Sequence, residues 1–105
     1  MSAVRHRAID RAEVLARLRA LEPQLRARGL RSLHLFGSTA RDEANAESDI
    51  DVFVEFAPGA AIGWDFAGAP ELLSRELDRK IDFTTRGSLH PLLRADIERE
   101  AIQVF

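Results

Sequence analysis

Asp49 and Asp51 stand one residue apart at the mouth of an apolar run that continues through Val52, Phe53, Val54 and Phe56. Alternate side chains of an extended strand share a face, so these two carboxylates point the same way, about 7 Å apart. Two acids aimed into one space repel each other unless a cation lies between them. Such oxygen donors suit Mg²⁺, which takes one or two carboxylates and completes its shell with substrate phosphates. Upstream, the run ending at Leu35-Phe36 closes with Gly37-Ser38. A Gly-Ser pair at a strand end offers bare backbone that can approach a phosphate and donate N–H groups to it. Gly37 and Ser38 on the phosphates, with Asp49 and Asp51 on a metal, predict phosphoryl or nucleotidyl transfer.

Local signals place these residues on elements. Asp10 followed by Glu13 reads as a capping box that opens a helix, and Val14, Leu15, Leu18, Leu21 and Leu25 recur at helical spacing. Pro23 should kink or divide that helix, and Gly29 should stop it. A strand is expected from Ser32 to Phe36, a short turn capped by Ser38 through Arg41, and a polar loop from Asp42 to Ser48. A second strand should run from Asp49 to Phe56. The stretch from Pro58 to Pro70, rich in Gly, Ala and Pro, reads as a long connection with a helical start near Trp64. Helix is expected from Pro70 to Leu77, strand from Lys80 to Thr85, helix from Pro91 to Glu100 and a short strand from Ile102 to Phe105.

The strand parities agree. Leu33, Leu35, Ile50, Val52, Val54, Ile81 and Phe83 share one face, which should pack under the helices. His34, Phe36, Asp49, Asp51, Phe53, Asp82 and Thr84 share the other. The fold class is therefore α+β: a small mixed sheet with helices packed on one face and chemistry on the other. Asp82, between Ile81 and Phe83, brings a third carboxylate to the polar face. Three carboxylates can hold two divalent ions, and two ions about 4 Å apart clamp the attacking and leaving oxygens of an in-line displacement. Asp82 is also placed to accept the proton of an attacking hydroxyl.

With 105 residues the chain is one domain, residues 1–105, with a real core and no room for a second, substrate-closing domain. A net charge of −2 gives no basic footprint for duplex nucleic acid. The absence of cysteine excludes disulfides, thiolate metal sites and cysteine nucleophiles. No apolar run reaches the roughly 20 residues of a membrane span, and Met1 to His6 lacks a signal-peptide core, so the expected location is cytoplasmic.

The combination of Phe36-Gly37-Ser38, ten further residues, Asp49-Ile50-Asp51, and a later strand carrying Asp82 resembles the polymerase-β-like nucleotidyltransferases. More narrowly, nearly the whole chain resembles the minimal nucleotidyltransferases, or MNT proteins, of bacteria and archaea. The resemblance implies that Gly37 and Ser38 hold the triphosphate of ATP. It implies that Asp49, Asp51 and Asp82 bind Mg²⁺, and that Arg41 positions the phosphates or the loop. It implies a HEPN-domain ribonuclease toxin as partner in a hetero-oligomer, silenced by transfer of AMP onto a tyrosine. The chain departs from the family pattern at Asp42, where glycine is common, and Glu43 follows. Two acids there would weaken nucleotide binding or belong to a partner contact.

Two other readings compete. One is a binding module that neutralises a toxin by covering it, favoured by Asp42 and Glu43 and opposed by the three aspartates. The other is a small-molecule transferase, which usually carries an extra helical domain for its acceptor. His34 reads as a structural strand histidine on the polar face, His90 as a turn residue and His6 as part of the terminus. Trp64 and Phe66 read as core or as a partner contact. Arg26, Arg28 and Arg31 read as a solvated helix end, with a partner contact as the second reading.

Overall fold

In a computed structural model of the chain, residues 9–59 and 64–105 are described, with backbone only for 64–67. Helix α1 (Arg11–Ala20) opens where Asp10 accepts a hydrogen bond from the Glu13 N–H at 2.7 Å. That is half of the expected capping box, and it satisfies one of the orphan donors of the first turn. Pro23 falls in the first turn of α2 (Glu22–Ala27), where its missing N–H costs nothing, so the apolar stripe divides at Leu21. Val14, Leu18 and Leu25 from these helices are fully buried.

Strand β1 (Leu30–Phe36) leads directly into α3 (Gly37–Ala40), one short turn. The residue at the N-cap of α3 is Phe36, in extended conformation and with no side-chain cap bond, rather than Ser38. Ser38 lies inside the turn because Gly37, at φ +75°, makes the sharp bend one residue earlier. Strand β2 (Ile50–Phe56) follows the polar loop, leaving Asp49 just ahead of the strand.

Helix α4 (Trp64–Leu77) begins six residues before Pro70, which sits inside it. Proline forfeits one backbone bond there, and burial of Ala69, Leu72, Leu73 and Leu77 holds the helix together. The side chains of Trp64 and Phe66 lie outside the described residues.

Strand β3 (Ile81–Thr85) ends in a 3-10 turn (Arg86–Ser88) that no sequence signal announced. The last helix, α5 (Arg94–Glu100), starts three residues after Pro91, because His90 to Leu93 form turns in which His90 Nδ1 accepts the Leu92 N–H at 3.1 Å. That makes His90 the expected turn residue. Strand β4 is two residues, Ile102–Gln103.

The sheet order is β3-β2-β1-β4. β1 runs antiparallel to β2 and to β4, and β2 runs parallel to β3 across the connection that contains α4. The core face is the expected one: Leu33, Leu35, Ile50, Val52 and Val54 are buried, with Ile81 and Phe83 packed at its edge. This is a mixed-sheet α+β fold. No helix among the described residues is long and apolar enough to cross a membrane.

Candidate active site

Strand register brings the first two acids together. Asp51 on β2 pairs with Asp82 on β3, and on its other side Asp51 pairs with Phe36, the residue before Gly37. Three strand features thus converge at one end of the polar face: the bend after β1, the start of β2 and the start of β3. Asp51 and Asp82 sit opposite each other in the β2–β3 pairing, and among the described residues no cationic side chain forms an ion pair with either. Burial pushes the Asp51 carboxyl up to about 6; the charges of Asp82 and Asp49 add to this, against a smaller opposing pull from Arg41. Two carboxylates sharing a site cannot both ionise freely without a cation.

Gly37 is dictated by Asp51. A Cβ at Gly37 would fall on Oδ2 of Asp51 and 3.0 Å from its Cγ, in a backbone conformation that side chains rarely adopt. The glycine bend and the carboxylate therefore form one close-packed unit. Ser38 follows in α3, half-buried, and its carbonyl accepts the Glu43 N–H at 2.8 Å.

Asp49 and Arg41 stand further out. Asp49 is exposed, and its Oδ2 lies 3.9 Å from Lys80 Nζ. Among the described residues no three acidic or histidine side chains form a ready-made metal cage. Arg41 is gripped by Glu43 at 2.9 Å and by both oxygens of Glu100 at 2.9–3.0 Å, tying α3 to α5.

Asp42 adopts φ +60°, a left-handed position where glycine is at ease. Its Oδ1 accepts the Arg11 N–H at the start of α1, at 3.2 Å. Asp42 and Glu43 thus serve the scaffold: one holds the helix start and the other holds Arg41.

The opposite end of the same face has another chemistry. His34 is buried, stacks on Phe53 with ring centroids 4.5 Å apart, and bonds Ser32 Oγ through Nε2 at 3.0 Å. Arg86 reaches that nitrogen at 3.3 Å and lies 4.8 Å over the Phe53 ring. A guanidinium only donates, so Nε2 accepts from Arg86, and the one proton of the Ser32 hydroxyl is shared between Nε2 and Glu55 Oε1, 3.3 Å from that hydroxyl. Burial, then the Arg86 charge, lowers the His34 pKa. This is the structural histidine anticipated above. Arg86, bridging Glu55 at 3.4 Å and Glu98 at 2.6 Å, organises this end and carried no motif that sequence reading could have used.

Residues 13–104 match the nucleotidyltransferase domain family. The chain belongs to that family. It is a nucleotidyltransferase, as Phe36-Gly37-Ser38 and Asp49-Ile50-Asp51 implied. It is 37% identical over 87 residues to a candidate protein adenylyltransferase of Methanocaldococcus jannaschii, covering 83% of this chain and 92% of the relative. It is 31% identical over 93 residues to the protein adenylyltransferase MntA of Thermococcus cleftensis, covering 88% and 93%. A solved structure of a candidate minimal nucleotidyltransferase superposes with a TM-score of 0.76 at 33% identity, over 90% of this chain and 95% of that one. The fold alone is also shared, at 20% identity and TM-score 0.59, with a chain from the complex of the tri-AMPylated Shewanella oneidensis HEPN toxin and its MNT antitoxin. That match covers 87% of this chain and 71% of the other.

Proposed function

We propose that this nucleotidyltransferase moves AMP from ATP onto a tyrosine hydroxyl of a HEPN-type toxin and thereby acts as its antitoxin. The observation that carries the reading is the paired, cation-free Asp51 and Asp82 at the glycine bend. The protein adenylyltransferases among its relatives support AMP as the transferred group and protein as the acceptor. The fold shared with the HEPN–MNT complex supports the partner class.

The donor set suits Mg²⁺. All three candidates are carboxylates, and Asp51 carries an electrostatic penalty that a cation would lift. A cation that needs only one or two protein carboxylates does not require a three-residue cage. Asp51 and Asp82 would hold it, with Asp49 joining from outside the strand. When bound, Mg²⁺ supplies charge neutralisation for the phosphates and for the attacking oxygen.

The chain's own groups do the rest. Gly37 lets the backbone of the bend approach the triphosphate, and Ser38 follows it with its N–H and hydroxyl. The acceptor oxygen forms a bond to the α-phosphorus while the bond to pyrophosphate breaks. The hydroxyl proton passes to a carboxylate oxygen of Asp82. Arg41, clamped by Glu43 and Glu100, fixes α3 from behind and adds positive potential at Asp51. Asp42 and Glu43, the features that favoured a pure binding module, are accounted for by the scaffold.

The test is incubation with labelled ATP, Mg²⁺ and the partner that co-purifies with the protein, followed by peptide mass spectrometry. AMP on a tyrosine of the partner is expected. A stable complex with no modification would replace catalysis by masking.

A further inference from the structure

Beyond Glu55, the polar face of the sheet opens into a cleft of about 380 Å³, lined in part by Arg31, Glu55, Arg86, Gly87 and Arg94. Three arginines converge there on two carboxylates. Arg86 is consumed by Glu55 and Glu98. Arg31 reaches Glu55 only at 3.4 Å with 54% of its side chain exposed. Arg94, whose Nη2 donates to the Arg86 carbonyl at 2.9 Å, reaches Glu98 only at 4.0 Å with 43% exposed, so its charge has no close carboxylate partner. The cleft therefore carries an excess positive charge in a chain whose net charge is −2. Just before Arg94, Leu92 and Leu93 are 85% and 53% exposed, the large apolar side chains that stand out among the described residues.

The cleft lies on the same face as the aspartates. Asp51 and Glu55 are four residues apart on β2, about 13 Å at strand spacing. An extended polypeptide lying along this face covers that distance in about four residues.

The geometry points to this cleft as the dock for an acidic stretch of the acceptor polypeptide, read by Arg31 and Arg94, about four residues from the tyrosine held at Asp51 and Asp82. The inference rests on the proposed transfer to protein and adds what the acceptor sequence must look like. Arginine forks match carboxylates with two parallel bonds, and Leu92 and Leu93 offer the apolar rim that a protein partner covers. A single-stranded nucleic acid would instead want exposed aromatic rings for its bases, and among the described residues the exposed large apolar side chains are leucines.

The experiment measures fluorescence anisotropy of two labelled peptides, each with one tyrosine. One carries four glutamates centred four residues from the tyrosine, and the other carries four lysines in the same places. Oligouridylate is the third probe. The protein should bind the glutamate peptide about tenfold more tightly than the lysine peptide. Arg31→Ala/Arg94→Ala should lose most of that preference, and Arg31→Glu/Arg94→Glu should reverse it toward lysine. The reversal is a gain that misfolding cannot mimic. Equal binding of both peptides, an unreversed preference, or oligouridylate binding tighter than the glutamate peptide would overturn the dock. Binding needs no chemistry, so a preference that reverses in a protein that transfers no AMP would retain the dock and retire the proposed activity.

Discussion

Asp51 and Glu55 lie on one strand, on one face, four residues apart, and their surroundings drive them in opposite directions. At Asp51, burial and two neighbouring carboxylates push the carboxyl up to about 6. At Glu55, burial alone would also raise it, but Arg86, the Ser32 hydroxyl and Arg31 overrule that and hold it below its ordinary value. One end of the face leaves Asp51 and Asp82 without an ion-paired cation among the described residues, with Lys80 reaching only the outlying Asp49; the other supplies Arg86 and Arg31 to Glu55. A fold selected for stability alone would neutralise both ends. The contrast supports the proposal that charge arrives with substrate at the Asp51 end.

The largest effect should come from Asp51→Asn. Transfer should fall a hundredfold or more if a metal supplies several kcal/mol at the transition state. The same variant should be more stable than the parent at neutral pH. A folded-state pKa near 6 against 3.8 amounts to about 3 kcal/mol. Solvent screening at this half-buried position reduces that to ~1–2 kcal/mol.

The sign follows from the direction of the shift. A carboxyl raised on folding adds stability below its unfolded pKa and loses it as pH rises through about 6. The advantage of Asp51→Asn should therefore be full at pH 7.5, mostly lost by pH 4 and gone by about pH 3. His34, lowered on folding, adds stability above its ordinary 6.5 and loses it as pH falls. It pulls the wild-type curve the other way, so the difference between the two proteins in urea midpoints is the quantity to follow. Transfer near the parental rate, or a variant less stable at pH 7.5, would break the comparison.

Gly37→Ala should cost both properties at once, because the new methyl displaces the Asp51 carboxylate and strains the bend. A loss of ~2 kcal/mol and at least tenfold in transfer is expected. Unfolding curves and the transfer assay check it.

At the other end, Glu55→Gln should destabilise by ~1 kcal/mol, opposite in sign to Asp51→Asn, since it leaves Arg86 and Arg31 short of a partner. Thermal midpoints of the two variants at pH 7.5 should move in opposite directions.

The smallest effect belongs to Thr39→Val. Thr39 is buried and its Oγ1 has no hydrogen-bond partner among the described residues, so the apolar isostere should add roughly 0.5–1 kcal/mol.

The readability of the chain follows the same division. The core face was legible because strand parity is a local signal: Leu33, Leu35, Ile50, Val52 and Val54 fall on alternate positions, separated by His34, Asp51 and Phe53 on the other face. Register made the pairing of Asp51 with Asp82 foreseeable, since both acids fall on the same parity of neighbouring strands. The division at Pro23 was legible from proline's missing N–H.

What escaped depends on long-range contacts. The cap of α3 shifted from Ser38 to Phe36 because Gly37 had to turn against a carboxylate fourteen residues away. Asp42 read as a threat to ATP, but its carboxylate belongs to the start of α1. Arg86 gave no signal, because its partners Glu55, Glu98 and His34 are scattered through the sequence. A helical start near Trp64 was legible, but Pro70 reads as separating it from the helix that follows, whereas α4 runs through Pro70 as one helix.

The most direct measurement is the titration of the Asp51 carboxyl carbon by NMR, with and without Mg²⁺ and a non-hydrolysable ATP analogue. The account predicts a midpoint near 6 in the free protein and a fall of more than one pH unit when metal and nucleotide are added together. A midpoint near the ordinary 3.8, or one near 6 that metal and nucleotide leave unmoved, would contradict the claim that these acids await a cation carried in with the substrate.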